Sequence, residues 1–197
     1  MTDLASPVRL ELQAERMMSR WRPLVQWLLA TPHLAVAWAM SYLRNVLTLI
    51  SLFAVLFTRR IPRPIFDAIT MTYRYEWRAL SYALFLHEDY PPFDFTTSAE
   101  DDLAEPHTEL SITYPEQLDR WKPLYKWLLA VPQYVVVVAL WIAACGAIVV
   151  GLVAVVVTGQ YPLGPRDFLV HVYRYTLRVQ AYVGLLTDAY PPFRLAA

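Results

Sequence analysis

The chain has 197 residues, of which 57% are apolar and only 17% are charged, against about 25% charged residues in an average soluble domain. Its formal charge is zero and its basic residues lie inside apolar segments, which argues against a nucleic-acid-binding protein. The single cysteine, Cys145, excludes an internal disulfide and a cysteine-ligated zinc site, and its apolar neighbours predict a buried, unreactive thiol.

Each half of the chain begins with a short alternating segment, VRLEL from Val8 and TELSI from Thr108, whose period of two predicts a β-strand. The polar stretch from Met1 to Gln13 lacks an apolar core, so we expect no signal peptide. A tryptophan-rich amphipathic turn follows each strand and is expected to end at Pro32 and Pro132. Its tryptophans are expected to be anchors in a membrane interface: Trp21, Trp27, Trp121 and Trp127.

The third part of each half is a long apolar run. Gln133 to Val157 contains about 25 residues without a charge, and an α-helix needs roughly 20 such residues to cross a bilayer. His33 to Phe57 is equally long and is interrupted by Arg44 and Asn45. Because a helix of a soluble protein rarely stays apolar on every side for this length, the two runs predict an integral membrane protein.

The two runs differ along one helical face. The first run carries polar side chains at helical spacing: Ser41, Arg44, Asn45, Thr48 and Ser51. The second run carries small residues at every fourth position: Ala139, Ala143, Ala147 and Gly151. Small residues let another helix approach closely, so we expect these faces to pack against each other or against a partner. A transport pathway between them is the alternative.

The fourth part of each half is a helix of about twenty residues, predicted from Phe66 to Leu86 and from Phe168 to Leu186. One face of this helix carries a narrow polar stripe at i, i+4, i+7 and i+11. The stripe residues are Asp167, His171, Arg174 and Arg178, with Asp67, Arg74 and Arg78 at the matching positions of the first half. The stripe fits a helix lying flat in the interface with its arginines toward lipid phosphates, or a crossing helix with the stripe buried in a bundle. We favour the interfacial placement, because an arginine at mid-bilayer costs at least about 3 kcal/mol.

Each half closes on the tetrapeptide Tyr-Pro-Pro-Phe, at residues 90–93 and 190–193. Two prolines remove two backbone donors and force an extended path, so we expect them to stop the preceding helix. The flanking rings are of the kind enriched at the level of lipid headgroups, and recognition of the proline-rich segment by a partner is the alternative. The predicted anchors are Tyr90, Phe93, Tyr190 and Phe193.

The two halves form a tandem duplication. When residue n is laid over residue n+100 no gap is needed, and roughly a third of the overlapped positions are identical. We assign residues 8–93 to the first repeat, 94–117 to a solvated acidic linker, and 118–197 to the second repeat, with its strand-like start near 108–112. The linker contains no Lys or Arg, and its acidic residues include Glu100, Asp101, Asp102, Glu105 and Glu109.

These parts together predict a mostly α integral membrane protein. Its duplicated unit consists of a short strand, an interfacial amphipathic turn, a long apolar helix and an amphipathic helix. If the amphipathic helix does not cross the membrane, a single-spanning run leaves the two repeats inverted. If that helix crosses, or if the run is re-entrant, the repeats are parallel and the two strands share a side and can pair. The sequence leaves these alternatives open.

The order of motifs resembles a known family. The succession W-x-P-L, an apolar run, T-G-x-Y-P, R-Y-x-L-R-x-x-A-Y and D-x-Y-P-P-F is similar to the bacterial membrane family called domain of unknown function 4389. The resemblance covers nearly the whole chain, twice. The second repeat is closer to the pattern, whereas the first departs from it at Arg59 and His87. The resemblance implies residence in a membrane and no particular activity.

Arg44 requires a partner, because a cation in a spanning run is a functional-site hypothesis by default. Glu76 is the candidate within the chain, since the duplication places it opposite Thr176, just as Arg44 lies opposite Ala144. Both departures from the duplication are then explained by one ion pair. A carboxylate of another subunit and a lipid phosphate are the alternatives. The residues expected to contact lipid or a partner are Arg44, Asn45, Arg74, Arg78, Arg174 and Arg178.

No catalytic motif is recognisable: the chain has no H-E-x-x-H, no G-x-S-x-G and no glycine-rich phosphate loop. We therefore expect a non-enzymatic protein without a cofactor or metal, and without a nucleic-acid partner. The leading hypothesis is an accessory or scaffolding subunit of the bacterial inner membrane, multi-pass or partly re-entrant, which packs against lipids and a larger membrane protein complex. The alternative is a component that binds or transports a lipid or another amphiphile and grips anionic headgroups with its arginine stripes.

Overall fold

A computed structural model of the chain describes residues 7–12, 17–97 and 108–195. These residues form two strands and five helices: β1 (Val8–Leu12), α1 (Arg22–Thr58), α2 (Arg63–Ala83), β2 (Thr108–Ile112), α3 (Lys122–Leu129), α4 (Val131–Thr158) and α5 (Leu163–Val183). The predicted mostly helical fold and both predicted strands are confirmed. Four of the linker acids, Glu100, Asp101, Asp102 and Glu105, lie outside the described residues.

The tryptophan-rich turn is helical in both repeats, but it ends differently from the prediction. In the first repeat α1 continues through Pro32, so the predicted end at this residue is wrong. In the second repeat the helix is interrupted at Ala130, and Pro132 lies in the first turn of α4. A proline is well tolerated there because the first N–H groups of a helix have no partner within it. Thus α3 and α4 together correspond to the single helix α1.

The amphipathic helices begin and end earlier than predicted. They start at Arg63 and Leu163, directly after Pro62 and Pro162, whose fixed φ suits a helix start. At the other end, the Leu86 N–H donates to Ser81 O and the Leu186 N–H donates to Ala181 O.

These bonds belong to a Schellman closure, in which a left-handed residue ends the helix. The left-handed residues are Phe85, with φ 60°, and Leu185, with φ 66°. Each helix therefore stops several residues before the Tyr-Pro-Pro-Phe segment. The prediction that the two prolines stop the helix is wrong, because the backbone has already turned.

The strands pair antiparallel, with Leu10 opposite Leu110. These two leucines occupy the same position of the two repeats, so a twofold axis perpendicular to the strand pair relates the repeats locally. Reciprocal bonds extend this symmetry, since the Met18 N–H donates to Gly159 O and the Leu118 N–H donates to Arg59 O, both at 2.9 Å. The start of α1 therefore lies beside the end of α4, and the two long helices run in opposite directions.

The elements form three layers. In each repeat the long helix packs against the amphipathic helix, α1 on α2 and α4 on α5. On their other side α2 contacts β2 and α5 contacts β1, so each amphipathic helix lies between a long helix and the strand of the sheet. We call α1, α3 and α4 the outer layer, α2 and α5 the middle layer, and β1 and β2 the sheet layer. The Trp77 and Tyr173 rings stack at 4.7 Å in the buried middle layer.

The middle layer corrects the predicted interfacial placement of the amphipathic helices. Both helices are mostly buried within the chain, and their arginine stripes face other parts of the same chain. The physical reason is that the chain itself supplies the acceptors: strand carbonyls bind Arg74 and Arg174, and the segments after the helices bind Arg78 and Arg178.

Candidate functional site

The outer layer is the principal apolar surface in the described part of the chain. Both α1 and α4 are long and apolar enough to cross a membrane, and only 11% of the most apolar window of each is buried. In α1 the buried side chains form a narrow stripe, which includes His33, Ala37, Ser51 and Val55. The rest of the circumference exposes large apolar side chains: Leu34, Trp38, Val46, Leu49, Phe53 and Phe57 on α1, and Val135, Val138, Ile142, Val149, Val153 and Val157 on α4.

Charge is segregated to the ends of this layer. Between residues 34 and 57 Arg44 is the only charged residue, and residues 131–157 contain none. Exposed arginines flank α1, with Arg20 before it and Arg59 and Arg60 after it. Both ends of α1, and with them both ends of the outer layer, therefore carry basic side chains.

The predicted pair of Arg44 and Glu76 is confirmed. Arg44 Nη1 donates to Glu76 Oε2 at 2.6 Å, and the Arg44 guanidinium lies 4.2 Å from the centre of the Tyr73 ring. In the second repeat a neutral hydrogen bond joins the equivalent helices α4 and α5, from Trp141 Nε1 to Thr176 Oγ1 at 3.1 Å. The ion pair therefore lies between the outer and middle layers, where it fixes α1 to α2.

The arginine stripes bind the backbone of the opposite repeat. Arg74 Nε donates to Leu110 O of β2 at 3.0 Å, and Arg174 Nη2 donates to Leu10 O of β1 at 2.7 Å. Each arginine thus holds the strand of the other repeat at its central residue. A charged donor to a buried carbonyl contributes more than a neutral hydrogen bond.

The second arginine of each stripe holds the segment that follows its own helix. Arg78 Nη1 lies 3.1 Å from Asp94 Oδ2, and Arg178 Nη1 donates to Arg194 O at 3.2 Å. Hydrogen bonds from Thr96, together with the Arg78 guanidinium, hold the pKa of Asp94 below its ordinary value. Asp94, the first residue of the predicted solvated linker, is therefore tied to the middle layer.

The predicted lipid contacts of the stripes are wrong for the three buried arginines. Arg74, Arg78 and Arg178 are only 3%, 4% and 5% exposed. Arg174 is half-buried and is bonded to β1. Asn45 is exposed on α1, so its predicted contact with lipid or a partner stays a prediction.

The small-residue face of α4 is only partly buried. Ala139 and Ala143 are exposed and Ala147 is half-buried. Gly151 is buried, but it admits a ring and not a helix, since a Cβ there would lie 2.2 Å from Cζ of Tyr161. Each long helix packs mainly on the amphipathic helix of its own repeat, and α1 and α4 also touch, so packing of the two predicted faces against each other or against a partner stays a prediction. The expected burial of Cys145 is also wrong, since this residue is exposed on α4.

The predicted aromatic anchors are all exposed: Trp21, Trp27, Tyr90, Phe93, Trp121, Trp127, Tyr190 and Phe193. Two of the indoles are satisfied by their own helix, because Trp27 Nε1 donates to Leu24 O and Trp127 Nε1 donates to Leu124 O. The Tyr-Pro-Pro-Phe segment of the first repeat folds back on the long helix, where Phe93 stacks on His33 at 4.1 Å. Anchoring of these rings in a membrane stays a prediction.

Sequence reasoning missed a set of buried polar residues that fasten these segments to the long helices. Gln26 Nε2 donates to Tyr82 O and to His87 O, each at 2.8 Å. At the equivalent position Lys126 Nζ donates to Thr187 O and pairs with Asp188 Oδ1, each at 2.7 Å. Gln133 Nε2 donates to Pro191 O at 2.8 Å. The signal was available, because polar residues stand at matching positions of both repeats within apolar surroundings.

Of the comparisons with known proteins, the one with family models finds a match. Comparison with curated proteins and with solved structures finds no match. Among the described residues, no group of three or more His, Cys, Asp or Glu side chains is placed to hold a metal ion. A family model matches residues 20–94 and again residues 120–194, which together make up more than half of the chain. The chain therefore belongs to the family described as Domain of unknown function (DUF4389), of which it contains two tandem copies.

Proposed function

We propose that the protein is a non-enzymatic, membrane-embedded accessory or scaffolding subunit of a larger complex in a bacterial inner membrane. The observation that carries this proposal is the outer layer, whose two helices expose large apolar side chains over most of their circumference. A soluble monomer rarely exposes apolar patches above a few hundred Å². Burying one Leu, Val or Phe side chain contributes about 1.5–3 kcal/mol, so contact of this layer with lipid is strongly favourable.

The polar side chains of the interior support a structural role. The stripe arginines hold the strands and the segments that follow the amphipathic helices, as Arg74 does with Leu110 O and Arg178 with Arg194 O. The Arg44–Glu76 pair joins two helices of one repeat. Each of these polar groups thus has a partner within the fold, which is what a rigid scaffold requires.

The alternative function, binding of a lipid or amphiphile, depended on the stripes gripping anionic headgroups. Arg74, Arg78 and Arg178 are enclosed by the chain itself, and a headgroup would have to displace their present partners. We therefore rank this function below the scaffolding role.

Native purification tests the proposal. The full chain, expressed in its own host with a small tag, is expected to stay in the membrane fraction after an alkaline carbonate wash. Native mass spectrometry in mild detergent is then expected to detect a protein partner at fixed stoichiometry. Release by carbonate would contradict membrane embedding. A retained lipid without any protein partner would contradict the scaffolding role and favour the alternative.

A further inference from the structure

We infer that the chain is embedded in one leaflet only, with α1 and α4 lying along the membrane plane and not crossing it. This inference rests on the proposed membrane function and deepens it, because it assigns the surface that meets lipid and the depth that this surface reaches. It follows from the position of the sheet layer relative to the long helices.

The sheet layer is level with the middle of α1. Arg44 lies near the centre of α1 and contacts Tyr73 and Glu76 on α2. Arg74, between these two residues in sequence, donates to Leu110 O at the centre of β2. A bilayer whose normal ran along α1 would therefore place the strand pair close to the bilayer midplane.

The outward side of the sheet layer is unsuited to the bilayer midplane. Arg9 and Glu109 are exposed at the centre of the sheet. Among the described residues the sheet has two strands, so no further described strand covers either of its edges. Thr96 and Thr97, beside the Arg78–Asp94 pair, belong to an exposed irregular segment. Lipid-exposed loops and open sheet edges do not occur within the hydrocarbon region, because water is not there to bond their N–H and C=O groups.

A bilayer that meets the outer layer from the opposite side avoids these costs. The twofold axis then stands along the membrane normal, and the sheet layer, two helix layers away, remains in water. A helix is about 10–12 Å in diameter, whereas one leaflet contributes about 15 Å of hydrocarbon, so a helix lying flat fits within a single leaflet.

The charges at the layer's ends complement the lipid surface in this orientation. Arg20 lies at one end of α1, and Arg59 and Arg60 lie at the other, all three exposed. With α1 in the plane of the membrane, both ends reach the headgroups of the same leaflet, where basic side chains are attracted to anionic lipids. Arg44 does not oppose this placement, because its guanidinium is directed inward to Glu76.

Labelling of single cysteines tests which side of the membrane each end occupies. The Cys145→Ser protein receives Ser19→Cys, Arg60→Cys or Glu109→Cys. Right-side-out and inside-out sealed vesicles are then treated separately with a membrane-impermeant maleimide. We expect all three positions to be labelled in vesicles of one orientation and to stay unlabelled in vesicles of the other. Labelling of positions 19 and 60 from opposite sides would overturn the inference. Absence of the chain from the vesicles would instead refute the proposed membrane function.

Depth measurements give a second, independent test. Nitroxide labels at Ala35→Cys, Val46→Cys and Phe57→Cys share one exposed face, because the positions are eleven residues apart. Adjacent labels lie about 16 Å apart along the helix. In the membrane plane, oxygen and a water-soluble nickel complex should report the same depth for all three. A crossing helix would place position 46 about 16 Å deeper than the other two and would overturn the inference. Shielding of all three from both reagents would also overturn it, since protein and not lipid would then cover the layer.

Discussion

Arg44 and Glu76 form an ion pair at 2.6 Å, in the interface between a long apolar helix and the amphipathic helix that packs on it. The two residues lie 32 positions apart, and neither has a charged counterpart in the other repeat. The first repeat thus joins its long and amphipathic helices by an ion pair, whereas the second repeat joins the equivalent helices by a hydrogen bond between Trp141 and Thr176. The two repeats share one fold and differ at this contact.

The first prediction is a coupling energy between these residues. Removing one member of a buried ion pair typically costs about 3–5 kcal/mol, and this pair should lie near the lower end because its side chains keep 12% and 22% of their exposure. We therefore expect Arg44→Leu and Glu76→Leu each to destabilise by about 3 kcal/mol. The double variant should recover much of this loss, as measured by denaturant unfolding in detergent. Strict additivity of the two single effects would contradict an energetically important pair.

The duplication itself made this pair predictable. Because the repeats align without a gap, each residue can be compared with its equivalent in the other repeat. Arg44 and Glu76 differ from their equivalents in charge, since these are Ala144 and Thr176. The apolar helices and both strands were predictable for a related reason, since periodicity and length are local properties of the sequence.

The partner of the arginine stripe was not predictable in the same way. A polar stripe shows which face of a helix needs acceptors, but lipid phosphate, water and a strand carbonyl satisfy arginine equally well. The actual acceptor of Arg174 is Leu10 O, 164 residues away. The ends of α2 and α5 were not predictable either. Their left-handed residues are Phe85 and Leu185, whereas glycine is the usual residue at such a position.

The second prediction concerns the two arginines that hold the strands. Arg74→Met and Arg174→Met should each destabilise by about 1.5–3 kcal/mol, because a strand carbonyl then loses a charged donor. Hydrogen exchange should become faster for both strands in either variant, since each strand depends on the other. Arg60→Met, at an exposed position, is the control and should change neither quantity. Unchanged exchange in both stripe variants would show that the sheet does not depend on these bonds.

The third prediction uses the left-handed residues that close the long helices. Arg59 has φ 60° at the end of α1, where the second repeat has Gly159 with φ 73°. A non-glycine residue in this conformation costs about 1–2 kcal/mol, so Arg59→Gly should raise the free energy of unfolding by about 1 kcal/mol. The reciprocal change, Gly159→Ala, should lower it by a similar amount. Equal stability of all three proteins in thermal unfolding would refute the backbone argument.

The fourth prediction concerns acid. The pKa of Asp94 is lowered by hydrogen bonds from Thr96 and by Arg78, so this carboxylate stabilises the fold above its ordinary pKa of 3.8. That contribution is lost as the pH falls through the lower pKa of the folded state. Asp94→Asn should therefore be less stable than the parent at pH 7, and the difference should shrink below about pH 4. Guanidinium unfolding across this range measures the difference, and a gap that stays constant would contradict the linkage.

The last prediction separates the two glycines of α4. A Cβ at Gly151 would lie 2.2 Å from Cζ of Tyr161, whereas a Cβ at Gly146 would meet nothing within 4 Å. Gly151→Ala must displace the Tyr161 ring, and overpacking of this kind costs about 1–3 kcal/mol. Gly146→Ala is the matched control and should stabilise the helix by up to about 1 kcal/mol, because glycine is the poorer helix former. Thermal unfolding in detergent measures both. A loss of stability at Gly146→Ala would mean that a second protein or an ordered lipid lies against this side of α4, since the chain itself leaves that space open.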